Sequence, residues 1–261
     1  MDLGLKGKIA LLTGASSGLG FATAKALAKE GARIVINARN PDKLSTAGDK
    51  LSKYGDVVSL PGDITEPDRA EKLIGATIAV LGGLDLLFTN SGGPPPMPFE
   101  EVDDEAWQKA IDLVFMSHVR LIRSALPALR RSDSPAVLTV TSLSVKQPIT
   151  NLVLSNSVRS ATIGLTKTLA LELASDKIRF NSILPSWTKT DRVYELLQDR
   201  AERNGTSLEV ELEKRNKQFP LGRMCTPEEF ANAATFLLSP AASYITGVML
   251  TVDGGTYKGT F

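Results

Sequence analysis

The fold is decided by the stretch Thr13-Gly14-Ala15-Ser16-Ser17-Gly18-Leu19-Gly20. It follows an apolar run at 8–13 that predicts a β-strand, and it leads into a segment that predicts a helix. Glycines at such a turn allow a tight bend and let a pyrophosphate approach the free amides at the helix N-terminus. Glycine spacing alone also fits a structural turn, but the strand before and the helix after favour a dinucleotide-binding loop.

Short β-branched runs alternate with longer amphipathic segments along the whole chain, which is typical of repeated βα units around a parallel sheet. Strands are predicted at 8–13, 33–38, 57–61, 84–89, 136–141, 178–184 and 248–252. Helices are predicted near 18–30, 41–53, 67–81, 103–130, 151–174 and 226–238. The pattern predicts an α/β fold with a doubly wound, seven-stranded parallel sheet, the Rossmann fold.

We expect a single domain over residues 1–261, because the sequence has no internal repeat, low-complexity tract or linker. The segment at about 191–218 is long and heavily charged, and it lies between a strand and a helix where the fold needs no extra length. We interpret it as a helical substrate flap, since binding residues concentrate on such connections. The alternative is a solvated, charged excursion.

Composition excludes several classes of function. The 261 residues carry 30 Lys+Arg and 29 Asp+Glu, a net charge of +1, which favours neither a nucleic-acid nor a membrane partner. Cys225 is the single cysteine and His118 the single histidine, so neither an intramolecular disulfide nor a cysteine-rich or histidine-clustered metal site is expected. We expect a cytoplasmic protein without a metal, since a single cysteine suits a reducing compartment.

The end of the second predicted strand indicates which dinucleotide binds. A carboxylate there accepts hydrogen bonds from the adenosine ribose of NAD, whereas a nearby arginine suits the 2′-phosphate of NADP. The sequence reads Ile36-Asn37-Ala38-Arg39-Asn40, without an acid, and a guanidinium can bind a phosphate with two hydrogen bonds. We therefore expect NADP(H), with NAD(H) as the alternative. The competing interpretation of Arg39 is a surface residue that starts the next helix.

Six motifs in order along the chain carry a resemblance to a known family. They are the glycine loop at 13–20, Asp63-Ile64, Asn90-Ser91-Gly92, Ser142, Pro185-Ser186-Trp187-Thr188-Lys189-Thr190, and Val252-Asp253-Gly254-Gly255. With these motifs the chain resembles a short-chain dehydrogenase/reductase from end to end, and it is similar to the 3-oxoacyl-carrier-protein reductases. The resemblance implies an oxidoreductase acting on a carbonyl or alcohol substrate, assembled as a homotetramer or dimer.

The resemblance also implies which residues bind the cofactor. They are Gly14, Ser16, Ser17, Gly18, Leu19, Gly20, Arg39, Asp63, Ile64, Asn90, Ser91, Gly92, Arg159, Pro185, Thr188 and Thr190. Within this set, Asp63 and Ile64 are expected at the adenine. Thr188 and Thr190 are expected near the carboxamide and the pyrophosphate.

Three of the family's four catalytic positions are replaced in this chain. The family uses Asn, Ser, Tyr and Lys, the last two spaced Tyr-x-x-x-Lys on one helix. Ser142 keeps the serine position, whereas Val114 stands at the asparagine; Ser155 and Arg159 stand at the tyrosine and the lysine. Arginine stays protonated to beyond about pH 12 and a serine hydroxyl is not an effective acid. We therefore expect the catalytic residues Ser142, Ser155 and Arg159 to stabilise a developing oxyanion rather than to transfer its proton.

The replacement leaves the source of the proton and the function itself open. Water, Lys146 and Tyr194 are candidate proton donors, and Tyr194 requires that the flap closes over the site. The alternative interpretation of Lys146 is a solvated loop charge, and that of Tyr194 is a packing residue. A catalytically weak or inactive NADP(H)-binding sensor or structural protein is the competing function. The halohydrin dehalogenases also resemble the family and have arginine at the lysine position, but they keep the tyrosine and give up the dinucleotide site.

Three further features are interpreted mainly as structural. His118 lies in an apolar helix and is expected to be a buried, satisfied histidine rather than a ligand. Cys225 has no neighbour in sequence that suggests activation, so an inert thiol is expected. The run Pro94-Pro95-Pro96 fits the rim of a substrate pocket and a stiff loop equally well.

Overall fold

A computed structural model describes residues 1–260 of the chain. Seven β-strands form one sheet, and each lies at a predicted position to within two residues. They are β1 (Ile9–Leu12), β2 (Arg33–Ala38), β3 (Val57–Pro61), β4 (Leu86–Thr89), β5 (Ala136–Val140), β6 (Arg179–Pro185) and β7 (Met249–Val252). The predicted seven-stranded sheet is confirmed.

The strand order is β3-β2-β1-β4-β5-β6-β7, and every neighbouring pair is parallel. The chain reverses its direction of travel across the sheet between β1 and β4, where Leu12 pairs with Phe88. In doubly wound sheets, ligands bind in the crevice at the carboxyl ends of the strands at such a point. The topology therefore places a binding crevice beside the glycine loop that follows β1.

Within residues 1–260, nine α-helices connect the strands. They are α1 (Gly18–Lys29), α2 (Pro41–Leu51), α3 (Arg69–Leu81), α4 (Asp104–Ile111), α5 (Ser117–Leu129), α6 (Val153–Glu172), α7 (Asp191–Asn204), α8 (Leu208–Asn216) and α9 (Pro227–Leu238). Local signals fix several starts: Asn40 caps α2 ahead of a proline, and Thr226 and Glu229 form a capping box at α9. None of the helices within residues 1–260 is both long and apolar enough to cross a membrane.

The helix predicted at 103–130 is interrupted, and this corrects the sequence-based expectation. A π-helical turn at Asp112–Met116 separates α4 from α5. Within the turn the carbonyl oxygen of Val114 accepts a hydrogen bond of 2.8 Å from Thr162 Oγ1 of α6. The turn therefore sits where this helical segment packs against α6.

Each face of the sheet is covered by a hydrophobic layer. Along β1, Ala10 and Leu12 join the layer that includes Leu27 of α1 and Phe230 of α9, whereas Leu11 joins the opposite layer with helices α3 and α5. Because successive side chains of a strand point to opposite faces, a strand buried on both sides is apolar throughout. This explains the uninterrupted apolar runs in the sequence.

The segment predicted as a flap forms the helical pair α7 and α8, and we call 191–218 the flap. Leu197 of α7 is buried with Phe219 and Met224 in a small cluster of its own. Glu211 of α8 is also buried, and it accepts hydrogen bonds from Lys214 and Thr206, both at 2.9 Å. These bonds, that of Lys214 first, lower the pKa of Glu211 to about 2. The flap is thus an ordered helical pair with its own core.

Candidate active site

A cleft of about 800 Å³ opens at the carboxyl ends of the strands, between the sheet and the flap. It is lined by all but one of the residues predicted for the site, namely Gly14, Ser16, Ser17, Gly18, Leu19, Arg39, Asp63, Ile64, Asn90, Ser91, Gly92, Ser142, Ser155, Arg159, Pro185, Thr188 and Thr190. The exception is Gly20, which is buried behind the loop. There a Cβ would overlap the carbonyl oxygen of Gly14, so Gly20 permits the turn rather than lining the cleft.

The glycine loop is held against the end of β4. Gly14 has φ of +58°, and a Cβ at this position would lie 2.6 Å from the carbonyl oxygen of Asn90. The Asn90 side chain in turn donates a hydrogen bond of 3.1 Å from Nδ2 to the carbonyl oxygen of Gly14. Only glycine fits there without strain. Asn90 therefore supports the loop.

The N-terminus of α1 is free to bind an anion. The side chain of Ser17, its N-cap residue, makes no capping hydrogen bond, and the first turn contains no acidic residue. Both Ser17 and Gly18 line the cleft. The first amide groups of a helix have no intrahelical acceptor and carry the positive end of the helix dipole. This end of the cleft therefore fits a pyrophosphate.

Two cations lie at the adenosine end of the cleft. Arg39 follows β2 and Lys43 lies in the first turn of α2, and both line the cleft. Within the described part of the chain, no carboxylate lies within 4.0 Å of either side chain. Asp63 turns its carboxylate onto Thr65 instead, accepting bonds of 2.9 and 2.8 Å from the backbone N and Oγ1. This arrangement fits a 2′-phosphate at Arg39 and Lys43.

Ser155 and Arg159 lie one turn apart on α6, at the other end of the cleft. Arg159 donates from Nε to Ser155 Oγ at 3.1 Å, from Nη1 to the carbonyl oxygens of Val140 and Thr141, and from Nη2 to that of Gly92. The side chain is only 7% exposed. Burial first, and then the charge of Arg192, lowers the pKa of Arg159 to about 10. The guanidinium is therefore charged at neutral pH although its hydrogen-bond acceptors are all uncharged.

The hydroxyl groups around Arg159 can donate protons in hydrogen bonds but do not ionise. Ser155 Oγ accepts from Arg159, so its own hydrogen is free to point into the cleft. Ser142 Oγ accepts from the backbone N of Ser144 at 3.1 Å and has the same freedom. Ser91 Oγ and Thr141 Oγ1 are buried at the cleft wall without a hydrogen-bond partner among residues 1–260. Such groups gain a partner when a polar ligand enters the cleft.

The position of the family's asparagine contributes no polar side chain. Val114 is fully buried in the π-helical turn and packs with Leu154 and Val158 of α6. It is not among the residues that line the cleft. The catalytic end therefore rests on side chains from β5, the loop after it, and α6.

The strand-end segment after β6 joins the cofactor end of the cleft to the flap. Thr188 is buried, and its Oγ1 donates a hydrogen bond of 3.4 Å to the carbonyl oxygen of Ser186. Thr190 precedes α7, and its Cγ2 lies 3.4 Å from where a Cβ at Gly18 would stand. The start of the flap therefore lies beside the glycine loop.

Two proton donors considered from the sequence lie away from the cleft. Lys146 places its Nζ 5.2 Å from the centre of the Tyr257 ring. Tyr194 is 37% exposed on α7. Neither is among the residues that line the cleft. Of the three candidate proton donors, water is the one that these positions leave.

Pro94 and Pro96 line the cleft, in keeping with the interpretation of the proline run as the rim of a substrate pocket.

His118 and Cys225 have the surroundings of structural residues. His118 is fully buried, with Nδ1 3.4 Å from Thr89 Oγ1 and no partner for Nε2 within residues 1–260. Burial, and then the charge of Arg159, lowers its pKa to about 3, so the ring is neutral. Burial raises the pKa of the Cys225 thiol, so this cysteine is not activated.

Sequence reasoning predicted a substrate flap but did not identify the flap residues that line the cleft. Arg192, Arg200 and Arg203 of α7 line it, together with Arg215, whose guanidinium stacks 3.8 Å from the centre of the Trp187 ring. The spacing of Arg192, Leu196, Arg200 and Arg203 is the signal that could have identified them. Residues four, eight and eleven positions along a helix share one face.

Comparison with known proteins identifies the family to which the chain is similar. Residues 14–257 match the family model described as Enoyl-(Acyl carrier protein) reductase. Dehydrogenase/reductase SDR family member 4 of Bos taurus is 31% identical over 254 residues, which cover 97% of this chain and 88% of that protein. The expected family resemblance is therefore confirmed.

Two solved structures are similar over nearly the whole chain. The L-sorbose reductase of Gluconobacter frateurii, complexed with NADPH and L-sorbose, is 34% identical with a TM-score of 0.96, covering 99% of this chain and all of that one. An NADPH-bound short-chain oxidoreductase of Pseudomonas aeruginosa PAO1 that contains an atypical catalytic center is 30% identical, with a TM-score of 0.87 and 97% coverage of both chains. The fold agrees with that of these proteins.

Proposed function

The chain belongs to the short-chain dehydrogenase/reductase family, and from this premise we propose that it interconverts a carbonyl and an alcohol with Ser142, Ser155 and Arg159 around the reacting oxygen. The observation that carries the proposal is the hydrogen bond from the buried, charged Arg159 to Ser155 at the wall of a cleft with a complete dinucleotide loop. The relatives of the chain are oxidoreductases of this family, which supports the same class of activity here.

The cofactor is NADP(H), as the sequence indicates. Similar solved structures are NADPH complexes, and the free helix N-terminus and unpaired Arg39 of this chain fit the pyrophosphate and 2′-phosphate. When bound, the cofactor supplies or accepts the hydride at the reacting carbon. NAD(H) lacks the phosphate that would bind Arg39 and is the weaker alternative.

The residues of the chain act on the oxygen of the substrate. The hydroxyl groups of Ser155 and Ser142 donate hydrogen bonds to the carbonyl oxygen as negative charge develops on it. Arg159 polarises Ser155 through its Nε and adds a positive charge in a site of low exposure. Preorganised donors of this kind contribute roughly 3–4 kcal/mol each to transition-state stabilisation. The proton then reaches the alkoxide from water in the open cleft.

A second candidate is an NADP(H)-binding sensor or structural protein without turnover. It is favoured by the absence, among Ser142, Ser155 and Arg159, of a group that can release a proton near neutral pH. In that case the cofactor would change the flap or the assembly without being oxidised. A homotetramer or dimer and a cytoplasmic location stay predictions.

The test is a fluorescence titration with NADPH and NADH, followed by absorbance at 340 nm with ketones, aldehydes, sugars and 3-oxoacyl thioesters. We expect tighter binding of NADPH and turnover of at least one carbonyl, with Ser155→Ala lowering the rate about 10²-fold. Ser160→Ala, which removes an exposed hydroxyl from the same helix, is the matched control. Tight binding without turnover over the whole panel would favour the sensor.

A further inference from the structure

The flap side of the cleft carries much more positive than negative charge. Five arginines line it: Arg159, Arg192, Arg200, Arg203 and Arg215. The flap contributes one acid to the same lining, Asp191. Arg200 is ion-paired with Glu211 at 3.3 Å. For the other four arginines, no carboxylate within residues 1–260 lies within 4.0 Å.

Two of these cations converge on one point at the catalytic end. A Cβ built on Gly93 would lie 3.0 Å from Nη2 of Arg159 and 3.5 Å from Nη2 of Arg192. Arg192 also lies with its Nη2 3.4 Å from the carbonyl oxygen of Gly93. After burial, the charge of Arg192 is the second cause that lowers the pKa of Arg159, so the two guanidinium groups repel each other. Arg192 is exposed to solvent, and no carboxylate within residues 1–260 lies within 4.0 Å of either guanidinium group.

The charges of α7 are divided between faces of the helix. Arg192, Arg200 and Arg203, at spacings of eight and three, line the cleft. The acids Glu195, Asp199 and Glu202 do not line it. The six basic residues of 191–218 are outnumbered by seven acids, so the positive lining does not follow from a basic composition of the flap. It follows from the helix face that α7 turns to the cleft.

The cofactor has other binding groups for its phosphates. The free N-terminus of α1 fits the pyrophosphate, while Arg39 and Lys43 fit the 2′-phosphate at the opposite end. Arg192 instead lies with Arg159 at Gly93, next to Ser155. Its neighbour Arg159 is thus one of the groups proposed to act on the substrate oxygen.

Resting on the proposed function, we infer that the substrate is an anion, a carbonyl or alcohol compound whose carboxylate or phosphate group binds between Arg159 and Arg192. Guanidinium groups bind both kinds of oxyanion with paired hydrogen bonds. Arg192 is then a specificity-determining residue that the flap delivers to the catalytic end. An oxyanion there supplies the charge that the arginine pair lacks.

The test measures binding apart from turnover, by calorimetry on protein saturated with NADP⁺, which cannot reduce a ketone. Two matched pairs of probes distinguish the anion: levulinate against its primary amide, and dihydroxyacetone phosphate against dihydroxyacetone. We expect at least one anion to bind about tenfold more tightly than its neutral partner, the effect of one charge-assisted hydrogen bond. The preferred pair shows whether the group is a carboxylate or a phosphate.

Variants assign the preference to Arg192. Arg192→Gln should reduce the discrimination to about twofold without changing the affinity for NADP⁺, and Arg192→Lys should restore part of it. Lys217→Gln, which removes a flap cation that pairs with Glu213 and does not line the cleft, should leave the discrimination intact. Equal binding within both pairs, no binding of either anion, or an Arg192→Gln variant that keeps the preference would overturn the inference. So would a variant that loses NADP⁺ affinity instead. A protein that binds the anions but fails to turn over refutes only the oxidoreductase proposal.

Discussion

Replacing Arg159 by methionine separates what this side chain does for folding from what it does for function. The guanidinium is buried, its acceptors are uncharged, and its Nε holds Ser155 at the cleft. A buried charge without a counter-ion stabilises a fold poorly, because desolvation opposes its hydrogen bonds. We therefore expect Arg159→Met to leave stability nearly unchanged while lowering kcat/KM about 10²–10³-fold.

The stability change can be worked from the structure. A pKa lowered to about 10, well below the ordinary value for arginine, means that the folded protein disfavours the charge of Arg159 by about 3 kcal/mol relative to water. Methionine keeps much of the stem and removes this cost. It also leaves the carbonyl oxygens of Val140, Thr141 and Gly92 without their donor, at roughly 1 kcal/mol each where cleft water can replace it. The two contributions nearly cancel, leaving a change within about 2 kcal/mol of zero.

The assay is urea unfolding at fixed protein concentration, paired with the 340 nm rate. Arg179→Met is the matched control, because this buried arginine donates to the carbonyl oxygens of Leu237, Leu238 and Ser239 at the end of α9, away from the cleft. Burial also lowers the pKa of Arg179 to about 10, so the same two contributions oppose each other. We expect a stability change within about 2 kcal/mol of zero, without a change in kcat. A loss above about 4 kcal/mol for Arg159→Met, or an unchanged rate, would refute the reasoning.

Three further outcomes follow from single positions. Arg39→Ala should weaken NADPH binding by about tenfold to a hundredfold in a fluorescence titration and leave NADH binding unchanged, since it removes one charge-assisted contact to phosphate. Gly20→Ala should lower the Tm and the NADPH affinity together, because the added Cβ would overlap the carbonyl oxygen of Gly14. The control is Gly75→Ala at an exposed position of α3, where no atom lies within 4 Å of the added Cβ; it should stabilise the protein by up to about 1 kcal/mol. His118 has a folded-state pKa of about 3, below its ordinary 6.5, so the unfolded chain takes up a proton that the folded protein excludes, and stability falls as the pH drops from about 6.5 toward 3. His118→Gln should lose about 2–3 kcal/mol less than the wild type between pH 7 and 4.5 in urea unfolding; equal losses would contradict this origin.

The sheet could be predicted from the sequence because its causes are local. The inner strands are short, mainly apolar runs buried on both faces, and the edge strands β3 and β7 are partly buried. The glycine loop has a strand before it and a helix after it. The π-helical turn at Asp112–Met116 could not be predicted in this way. It preserves the apolar pattern of a helix, and the hydrogen bond from Thr162 to Val114 joins residues 48 positions apart. A tertiary contact of that kind leaves no periodic signal in the sequence.

The candidate site was predictable where a motif fixes the path of the backbone. It was less predictable where a long side chain has to point into the cleft. Gly14 and Asn90 lie together because the ends of β1 and β4 are neighbours in the sheet. Lys146, by contrast, is close to Ser142 in sequence, yet it lies over Tyr257 instead of in the cleft. Adjacency in sequence sets where a backbone goes, but the rotamer and the packing decide what a long side chain reaches.

The net charge of +1 gives an incomplete view of the electrostatics of the cleft. A net charge governs the field far from a protein, which salt screens beyond about 10 Å. Inside a cleft with walls of low dielectric, the few charges that line it dominate. Here Arg159 and Arg192 approach the same point at Gly93, and no carboxylate within residues 1–260 lies within 4.0 Å of either guanidinium group. The acids that balance them in the total, such as Glu195 and Glu202, do not line the cleft. A nearly neutral chain can thus present a cationic site. Helix α7 carries both acidic and basic residues, and the site is cationic because the face of α7 that lines the cleft carries the arginines.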